Sequence, residues 1–521
     1  MKNLIVTIAI FTLTFQILSA QSSFVISYGD TLSNLIGQQG IVDKNENRVM
    51  IGKRFAVKDN PHVAFFDSTN KHKWSFYIDN KSATANKIIQ TKDGHYIALY
   101  SNGISSQLIK FTNTGSILWY KDHSNIYSFI DAIEDTTTSN VYFLGSLDGK
   151  LILMSINPSG NLVASTAFSL TPASNYLFAQ SIGITHDGNL ILCAVASYLG
   201  GPNAKPVVIK STKQGGIIWS SVFSSTTSNM LIDKLIESKF DHSFFGVGYR
   251  STGVANTFDA FSLKLDTGGN YVNNKSIEFT YQDNYYDVCE APNGGFVAIG
   301  MTKPVAVCGG NLLMTKFSAN NDTAYHKTYG TANGNGAFFF NIAPHKSGGF
   351  QAFGTGSLWS ILKVPYDYNF IKTDSLLELP CKKYNQAYNQ STLTITQSNN
   401  VITNTYTPVF TTSYVQIFDS MQAADGCTGI VLATNSFNTL EDNFTIYPVP
   451  ASNEIIINAT KNANYSFTVY TIDGKLIHQS AINKYSLKLN TSSWSDGTYL
   501  IQITTENKQK VFKKILINHS L

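Results

Sequence analysis

The feature that most constrains this chain is an internal repeat with a period of about 50 residues. Each copy joins a polar or glycine-bearing turn to a short apolar strand, as in residues 93–100 and 187–194. The copies end at positions 52, 100, 145, 194, 248, 300 and 354. A unit this small cannot bury its apolar face alone, so successive copies must pack against one another.

Other apolar strands surround each copy. One precedes it, as at residues 87–90, and two follow it, as at residues 108–111 and 115–119. Four short strands per unit are typical of a β-propeller blade, and we find no amphipathic helices that would indicate a parallel α/β fold. We therefore expect an all-β protein with a seven-bladed β-propeller over residues 21–372. Six or eight blades remain open, because residues 24–28 form an extra outer strand that could close the ring on the last blade.

The C-terminal residues 441–521 have a different pattern. Short segments of alternating apolar residues predict about seven antiparallel strands, which fit a small β-sandwich. Asp473 and Gly474 lie between two such segments, and Asp-Gly in that setting is a strong hairpin signal.

Four motifs in this region resemble, in order, the type A C-terminal sorting domain of the type IX secretion system. They are a Y-P-N-P opening with Val449 in place of Asn, a Y-x-x-x-G-K hairpin, a G-x-Y-L strand and a terminal K-x-x-I. The residues that carry the motifs are Tyr447, Pro448, Pro450, Asp473, Gly474, Lys475, Gly497, Tyr499 and Lys514. The resemblance implies outer-membrane translocation, with the secretion machinery and its sorting protease as partners.

The middle of the chain loosely resembles the propeller-like repeats often found in front of such sorting domains. Residues 91–96 and 113–119 carry that resemblance best, over a region of about 41–372. The tryptophans of this turn motif, Trp119 and Trp219, are expected to pack between blades.

The N-terminus supports export. Lys2 precedes a short apolar run, and small residues at positions 19–20 suit a cleavage site, so residues 1–20 are predicted to be a signal peptide. No later run is long enough for a transmembrane helix. We expect the mature protein outside the cell or on the outer-membrane surface.

Residues 373–440 are rich in Ser, Thr, Asn and Gln and are predicted to be a partly ordered spacer. The chain has five cysteines, an odd number, so at least one is not paired with another. Export allows disulfides to persist, and we expect Cys381–Cys427 and Cys289–Cys308 as pairs. Cys193, inside an apolar run, is expected to be a buried free thiol.

The charge and the polar residues of the repeats bear on their chemistry. Net charge is only +4, which gives no indication of nucleic-acid binding. No catalytic or metal motif is present, and no cofactor is expected. Three blades carry acidic pairs that could approach the channel and bind Ca²⁺ or act as acid and base. These pairs are Asp131 with Glu134, Asp233 with Glu237, and Asp287 with Glu290. We favour a structural role, in which the carboxylates accept backbone hydrogen bonds of turns.

Three hypotheses for the repeats remain. The first is a non-catalytic module that binds an extracellular glycan or protein. The second is a secreted glycan-active enzyme with its site at the mouth of the channel. The third is a structural adhesin without a discrete ligand.

Overall fold

The structure is a computed structural model that describes residues 23–519, with gaps. The gaps are residues 30–33, 56–58, 80, 125–127, 172–175, 198–203, 255–256, 280, 293, 304–309, 331–337, 347, 356–367, 380–387, 420, 426–430, 434–443, 449–450, 460–464, 472–474, 483–485 and 506–509. The predicted signal peptide lies outside the described residues. Everything described is strand, turn or irregular, and this part of the chain contains no helix able to cross a membrane.

The repeat region is a series of antiparallel strands. They are β1 (Phe24–Gly29), β2 (Asn34–Val42), β3 (Arg48–Phe55), β4 (Asp59–Phe66), β5 (His72–Ile78), β6 (Thr84–Gln90), β7 (Tyr96–Ser101), β8 (Ser105–Phe111), β9 (Ile117–Ser124), β10 (Ser128–Asp135), β11 (Asn140–Leu147), β12 (Lys150–Ile156), β13 (Leu162–Leu170), β14 (Tyr176–Ile184), β15 (Leu190–Ser197), β16 (Lys205–Ser211), β17 (Ile217–Ser224), β18 (Met230–Glu237), β19 (Phe244–Ser251), β20 (Phe258–Leu265), β21 (Tyr271–Glu278), β22 (Gln282–Glu290), β23 (Phe296–Lys303), β24 (Asn311–Phe317), β25 (Thr323–Tyr329), β26 (Phe338–Pro344), β27 (Phe350–Thr355) and β28 (Tyr368–Lys372).

Consecutive strands pair in sets of four, beginning with β2–β5 and continuing to β22–β25. The last set is completed by the N-terminus, because β1 pairs antiparallel with β28 and so closes the set β26–β27–β28–β1. This confirms the expectation for residues 24–28. The first strand of each set lies beside the first strand of the next, from β2 round to β26, which lies beside β2 again. The repeats therefore form a closed, propeller-like ring.

Burial explains why the second strand of a set is so apolar. All six residues of β7 are buried, and β15 is buried over seven of its eight residues. Such a strand is covered on both faces by neighbouring sets, so it shows no polar alternation. The apolar clusters accordingly join adjacent sets, as where Val49 and Ile51 pack with Ile88 and Tyr96.

The turn tryptophans pack between sets, as expected. The Trp119 indole Nε1–H donates to the carbonyl oxygen of Pro158 in the next set, at 3.2 Å. A β-carbon at Gly269 would lie 2.4 Å from the Trp219 ring, so only glycine fits there. Gly269 also has a φ of +78°, which glycine adopts at little cost.

The stretch after the repeats adds a fifth strand to most sets. Its strands are β29 (Asn389–Ser391), β30 (Thr396–Ser398), β31 (Val401–Thr405), β32 (Phe410–Thr411), β33 (Gln416–Asp419), β34 (Gln422–Asp425) and β35 (Val431–Ala433). Their partners are β21, β17, β13, β9, β5 and β1 for β29 to β34 in turn. We call residues 388–425 the belt, because they run along the outer edges of the sets in reverse order.

The C-terminal unit begins near Leu432 and is compact on its own. Its strands are β36 (Phe444–Tyr447), β37 (Glu454–Ala459), β38 (Tyr465–Thr471), β39 (Leu476–Ile482), β40 (Ser486–Asn490), β41 (Gly497–Thr505) and β42 (Lys510–Ile517). They form a sheet of order β36-β37-β40 and a sheet of order β39-β38-β41-β42. One apolar cluster with Ile455, Phe467 and Ile501 draws on both sheets. The predicted hairpin is present as the antiparallel pair β38–β39, although Asp473 and Gly474 lie outside the described residues.

Two of the five cysteines, Cys193 and Cys289, lie in the described residues. Cys193 is a fully buried free thiol in an apolar cluster, as expected. Cys289 is also a buried free thiol, which contradicts the expected Cys289–Cys308 disulfide. The reason is its position near the end of β22, where it packs in the core with Val297 and Ile299. Cys308, Cys381 and Cys427 lie outside the described residues.

Candidate functional site

A β-bulge at the same place in the first strand of every set shapes the channel of the ring. The shifts in register occur between Gly37 and Gln39, Ala85 and Lys87, Phe129 and Asp131, Ala179 and Ser181, Ile232 and Lys234, Tyr285 and Asp287, and Phe339 and Asn341. A bulge inserts an extra residue and re-aims the side chains beside it. In each set the bulged residue, its successor or both line a cavity of about 160 Å³.

Asp131 is held at the centre of a charged network in this cavity. Its Oδ1 lies 3.1 Å from Lys87 Nζ, and its Oδ2 lies 2.7 Å from Lys234 Nζ. The backbone N–H of Ile182, in the next set, donates to Oδ2 at 3.2 Å. Burial acts to raise the pKa of Asp131, but the two lysines and these hydrogen bonds outweigh it and lower the pKa to about 2. Asp131 therefore links its own set to three others while staying ionised.

Asp287 directly follows the bulge of β22, and Ser181 has the same position in β14, two sets earlier. Its Oδ2 accepts the backbone N–H of Ile342 in the following set, at 2.8 Å. Ser181 does the same for Leu235, whose N–H donates to the hydroxyl at 3.1 Å. Burial raises the pKa of Asp287, against the lowering effect of Lys234 and Lys87. This carboxylate thus belongs to a repeated hydrogen bond between neighbouring sets.

Asp233 differs from the other two acids, because it is the bulged residue itself. Burial raises the pKa of its carboxyl to about 8, so the group is largely protonated at neutral pH. A protonated carboxyl can donate a hydrogen bond, which the ionised Asp131 cannot. The protonation of Asp233 therefore changes near neutral pH.

The three glutamates of the predicted pairs contact turns. Glu134 Oε2 accepts the backbone N–H of Lys92 at 2.7 Å, and Glu237 Oε2 accepts that of His186 at 2.6 Å. Glu290 accepts from the Lys239 N–H at 3.0 Å. In each case the turn belongs to the preceding set, so these glutamates tie sets together, as the structural interpretation predicted. They do not line the cavity.

The cavity brings Asp131, Asp233 and Asp287 together, and it adds residues that the sequence analysis missed. These are Lys87, Lys234, Tyr286, Phe340, Ile130 and the carboxamides Gln39, Asn86, Gln180 and Asn341. The Tyr286 and Phe340 rings lie 5.3 Å apart between centroids. One sequence signal could have found some of these residues. Lys87, Asp287 and Asn341 each precede a turn glycine (Gly94, Gly294 and Gly348) by the same number of residues.

The sorting-motif residues lie on the C-terminal sheets. Tyr447 ends β36 and is exposed, and its hydroxyl accepts from Asn458 Nδ2 at 3.0 Å. Tyr499 is buried on β41, which Gly497 begins, and its hydroxyl donates to the Ser495 carbonyl at 2.8 Å. Pro448 follows β36, and Lys475 caps the hairpin by donating its N–H to Thr471. Lys514 is part of β42, whereas Pro450 lies outside the described residues.

Solved structures with related strand arrangements have very low sequence identity to this chain. PorZ, a surface component of the type IX secretion system of Porphyromonas gingivalis, is 11% identical, with a TM-score of 0.38, covering 91% of this chain and 70% of that one. A Dyadobacter fermentans protein of unknown function is 8% identical, with a TM-score of 0.41, covering 68% and 98%. Sqt1 from Chaetomium thermophilum is 12% identical, with a TM-score of 0.41, covering 64% and 83%. No curated protein matches the chain by sequence.

The family comparison is more specific. The model of the secretion system C-terminal sorting domain, the Por secretion tail, matches residues 445–518. The match covers the region in which the four motifs lie and confirms the resemblance drawn from them. The C-terminal unit is thus a type IX secretion sorting domain, and the protein is exported to the cell surface or the extracellular space.

Proposed function

We propose that the exported protein is a non-catalytic binding module, a seven-bladed β-propeller whose channel cavity takes up part of an extracellular glycan. The seven sets of four strands, with β1 closing the last, support the blade count. The observation that carries the binding role is the cavity lining, in which aromatic rings stand beside several carboxamides.

This combination suits a sugar. The rings of Tyr286 and Phe340 offer apolar faces for the C–H side of a pyranose, and burial raises the pKa of Tyr286 to about 12, so its hydroxyl stays neutral. Carboxamides such as Gln39 and Gln180 each offer donors and an acceptor to sugar hydroxyls. A small number of polar groups among apolar side chains is the usual make-up of a ligand site.

The charges of the cavity support binding without catalysis. Asp131 is neutralised by Lys87 and Lys234, and Asp287 accepts a backbone hydrogen bond that joins two sets. Removing either carboxylate from these contacts to act on a substrate would leave half-buried lysines or a backbone amide without partners. The network therefore favours a structural role for these acids.

The remaining parts of the chain serve export in this proposal. Residues 1–20 act as a signal peptide, and residues 21–372 form the propeller with the 373–440 segment behind it. Residues 441–521 form a β-sandwich that the secretion machinery and its sorting protease recognise. Tyr447, Pro448, Pro450, Asp473, Gly474, Lys475, Gly497, Tyr499 and Lys514 would shape the recognised surface.

The test is a glycan array probed with the purified protein, followed by calorimetry on any glycan retained. We expect Tyr286→Ala to weaken binding of that glycan about tenfold, since a buried stacking ring contributes on the order of 1–2 kcal/mol. The control is Phe240→Ala, which removes an exposed ring in a turn that does not line the cavity. Equal binding by the two variants, or an array without any bound glycan, would overturn the proposal.

A secreted glycan-active enzyme is the second candidate, and Asp233 is the observation that favours it. A carboxyl with a pKa of about 8 in a cavity has the protonation state of a general acid. Polysaccharide breakdown by the purified protein that is lost in Asp233→Asn would replace the binding proposal with this one.

A further inference from the structure

Two histidines and a glutamate converge away from the channel cavity, where two consecutive sets meet. His186 lies in the turn after β14, Glu237 ends β18, and His242 lies in the turn that follows β18. One ligand atom from each of the three lies within 4.8 Å of the others. The two histidines are one repeat apart in the chain, so no short sequence motif contains both.

Glu237 is fixed in place by the turn of the preceding set. Its Oε2 accepts the His186 backbone N–H at 2.6 Å, while its Oε1 lies 2.8 Å from His186 Nδ1. The His186 and His242 rings are stacked, with centroids 3.6 Å apart and planes at 19°. The carboxylate is therefore held towards two imidazoles that lie against each other.

One ring nitrogen of His242 lacks a partner. Its Nδ1 is buried and makes no hydrogen bond within the described part of the chain. The residue lies at a left-handed turn position, with a φ of +57°, where other repeats have Gly94, Gly188, Glu46 or Ser139. The backbone there accepts several residue types, so the unpartnered imidazole nitrogen is the feature that points to a ligand.

The nearby carboxylates are already engaged. Asp187 Oδ2 lies 2.7 Å from Lys210 Nζ, and Asp241 Oδ1 accepts the Ser243 hydroxyl at 2.6 Å, with Lys264 Nζ 3.4 Å from its Oδ2. These acids belong to their own turns and do not compete for the two imidazoles. Glu237 is the anionic group that His186 and His242 share.

We propose that His186, Glu237 and His242 bind a zinc-class divalent ion that joins the two sets. Two imidazole nitrogens and one carboxylate are a ligand set that Zn²⁺ takes, with a fourth position left to water. Because parallel rings cannot both point at one ion, one ring must turn on binding. The His186 side chain is 47% exposed, so its ring is the one with solvent beside it into which it can turn. The ion then replaces the proton shared between His186 Nδ1 and Glu237 Oε1.

The experiment uses the full chain after treatment with a chelator, titrated with ZnCl₂ in a calorimeter and melted with and without the metal. We expect one Zn²⁺ per chain and a higher melting temperature in its presence, because an ion that binds only the folded state stabilises it. His242→Asn should reduce zinc affinity by at least about tenfold, since Asn tolerates the left-handed backbone yet is a poor zinc ligand.

Two further variants make the result decisive. Glu237→Gln keeps an acceptor for the His186 N–H but loses the charge, and should also bind zinc weakly. The matched control is His95→Asn, which changes a turn histidine in another repeat and should bind zinc like the unchanged protein. The proposal is overturned if the unchanged protein takes up no stoichiometric zinc, or if His242→Asn binds it as well as the control does.

Discussion

At the residue scale, two acids in one cavity behave in opposite ways. Asp131 and Asp233 are both aspartates on first strands, yet the pKa of Asp131 is lowered to about 2 and that of Asp233 is raised to about 8. The difference arises from the partners, since two lysines contact Asp131, whereas burial alone dominates at Asp233. The sequence shows that both residues are aspartates. The difference between their pKa values depends on which sets supply the lysines that contact Asp131.

Asp233 should make folding stability depend on pH. Its pKa in the folded state lies above the unfolded value of about 3.9, so its effect is least unfavourable below pH 4. As pH rises the unfolded chain ionises first, and stability is lost until the folded carboxyl also ionises near pH 8. Asp233→Asn removes this penalty. We expect it to stabilise the protein by about 1–2 kcal/mol at pH 8, allowing for partial solvation in the channel, and by little at pH 4.

Urea unfolding followed across that pH range measures the effect. Asp322→Asn serves as the control, because the Asp322 side chain is 69% exposed and its salt bridge to Lys275 should contribute little at any pH. A stabilisation by Asp233→Asn that does not grow between pH 4 and pH 8 would contradict the raised pKa.

At the element scale, the belt shows how strands distant in sequence complete a sheet. Strand β31 pairs with β13, so that Val401 lies opposite Leu170 and Ile402 opposite Ser169. Val401 is 8% exposed and joins an apolar cluster of two sets, whereas Ile402 is 43% exposed. The belt thus covers the outer edge of a set and adds apolar contacts to its core.

Neighbouring substitutions on β31 can test this arrangement. We expect Val401→Asp to destabilise the protein by about 3 kcal/mol, because it places a carboxyl in an apolar cluster without a partner. Ile402→Asp should change stability by less than about 1 kcal/mol, since its side chain points to the other face of the strand. Chemical unfolding compares the two, and limited proteolysis of the belt should accelerate only in Val401→Asp. Equal effects of the two substitutions would mean that the belt does not pack in this register.

At the scale of the whole molecule, the chain divides into a large unit that ends near Val431 and a smaller C-terminal unit. Each has its own apolar core, and the smaller unit contains the match to the sorting-domain family. The sorting function therefore belongs to the smaller unit, and the proposed glycan binding to the larger one.

Removal of residues 445–521 should keep the protein from the cell surface and the medium, because the sorting domain is what the secretion machinery recognises. Cell fractionation with antibody detection measures the outcome, and the truncated chain should accumulate behind the outer membrane. Lys488→Ala is a suitable control, since this lysine is 64% exposed and makes only a surface salt bridge with Glu454. Normal surface display of the truncated chain would contradict the assignment.

The features that sequence alone determined are local ones. The turn before each apolar strand, the tryptophan of the turn motif and the four C-terminal motifs depend on residues close together in the chain. They predicted the repeating sheets and the route of export. From the sequence a disulfide is expected at Cys289, which is a free thiol, and the belt region is expected to be only a partly ordered spacer. No sequence pattern brings His186 and His242 together.

The tertiary structure was needed to find the free thiol at Cys289, the belt and the histidine pair, because each depends on which strands become neighbours when the ring closes. Contacts between residues one or more repeats apart leave no local pattern. The repeat predicts the units, and only their packing against one another decided which carboxylate contacts two lysines, that the pKa of Asp233 is raised to about 8, and which histidines meet.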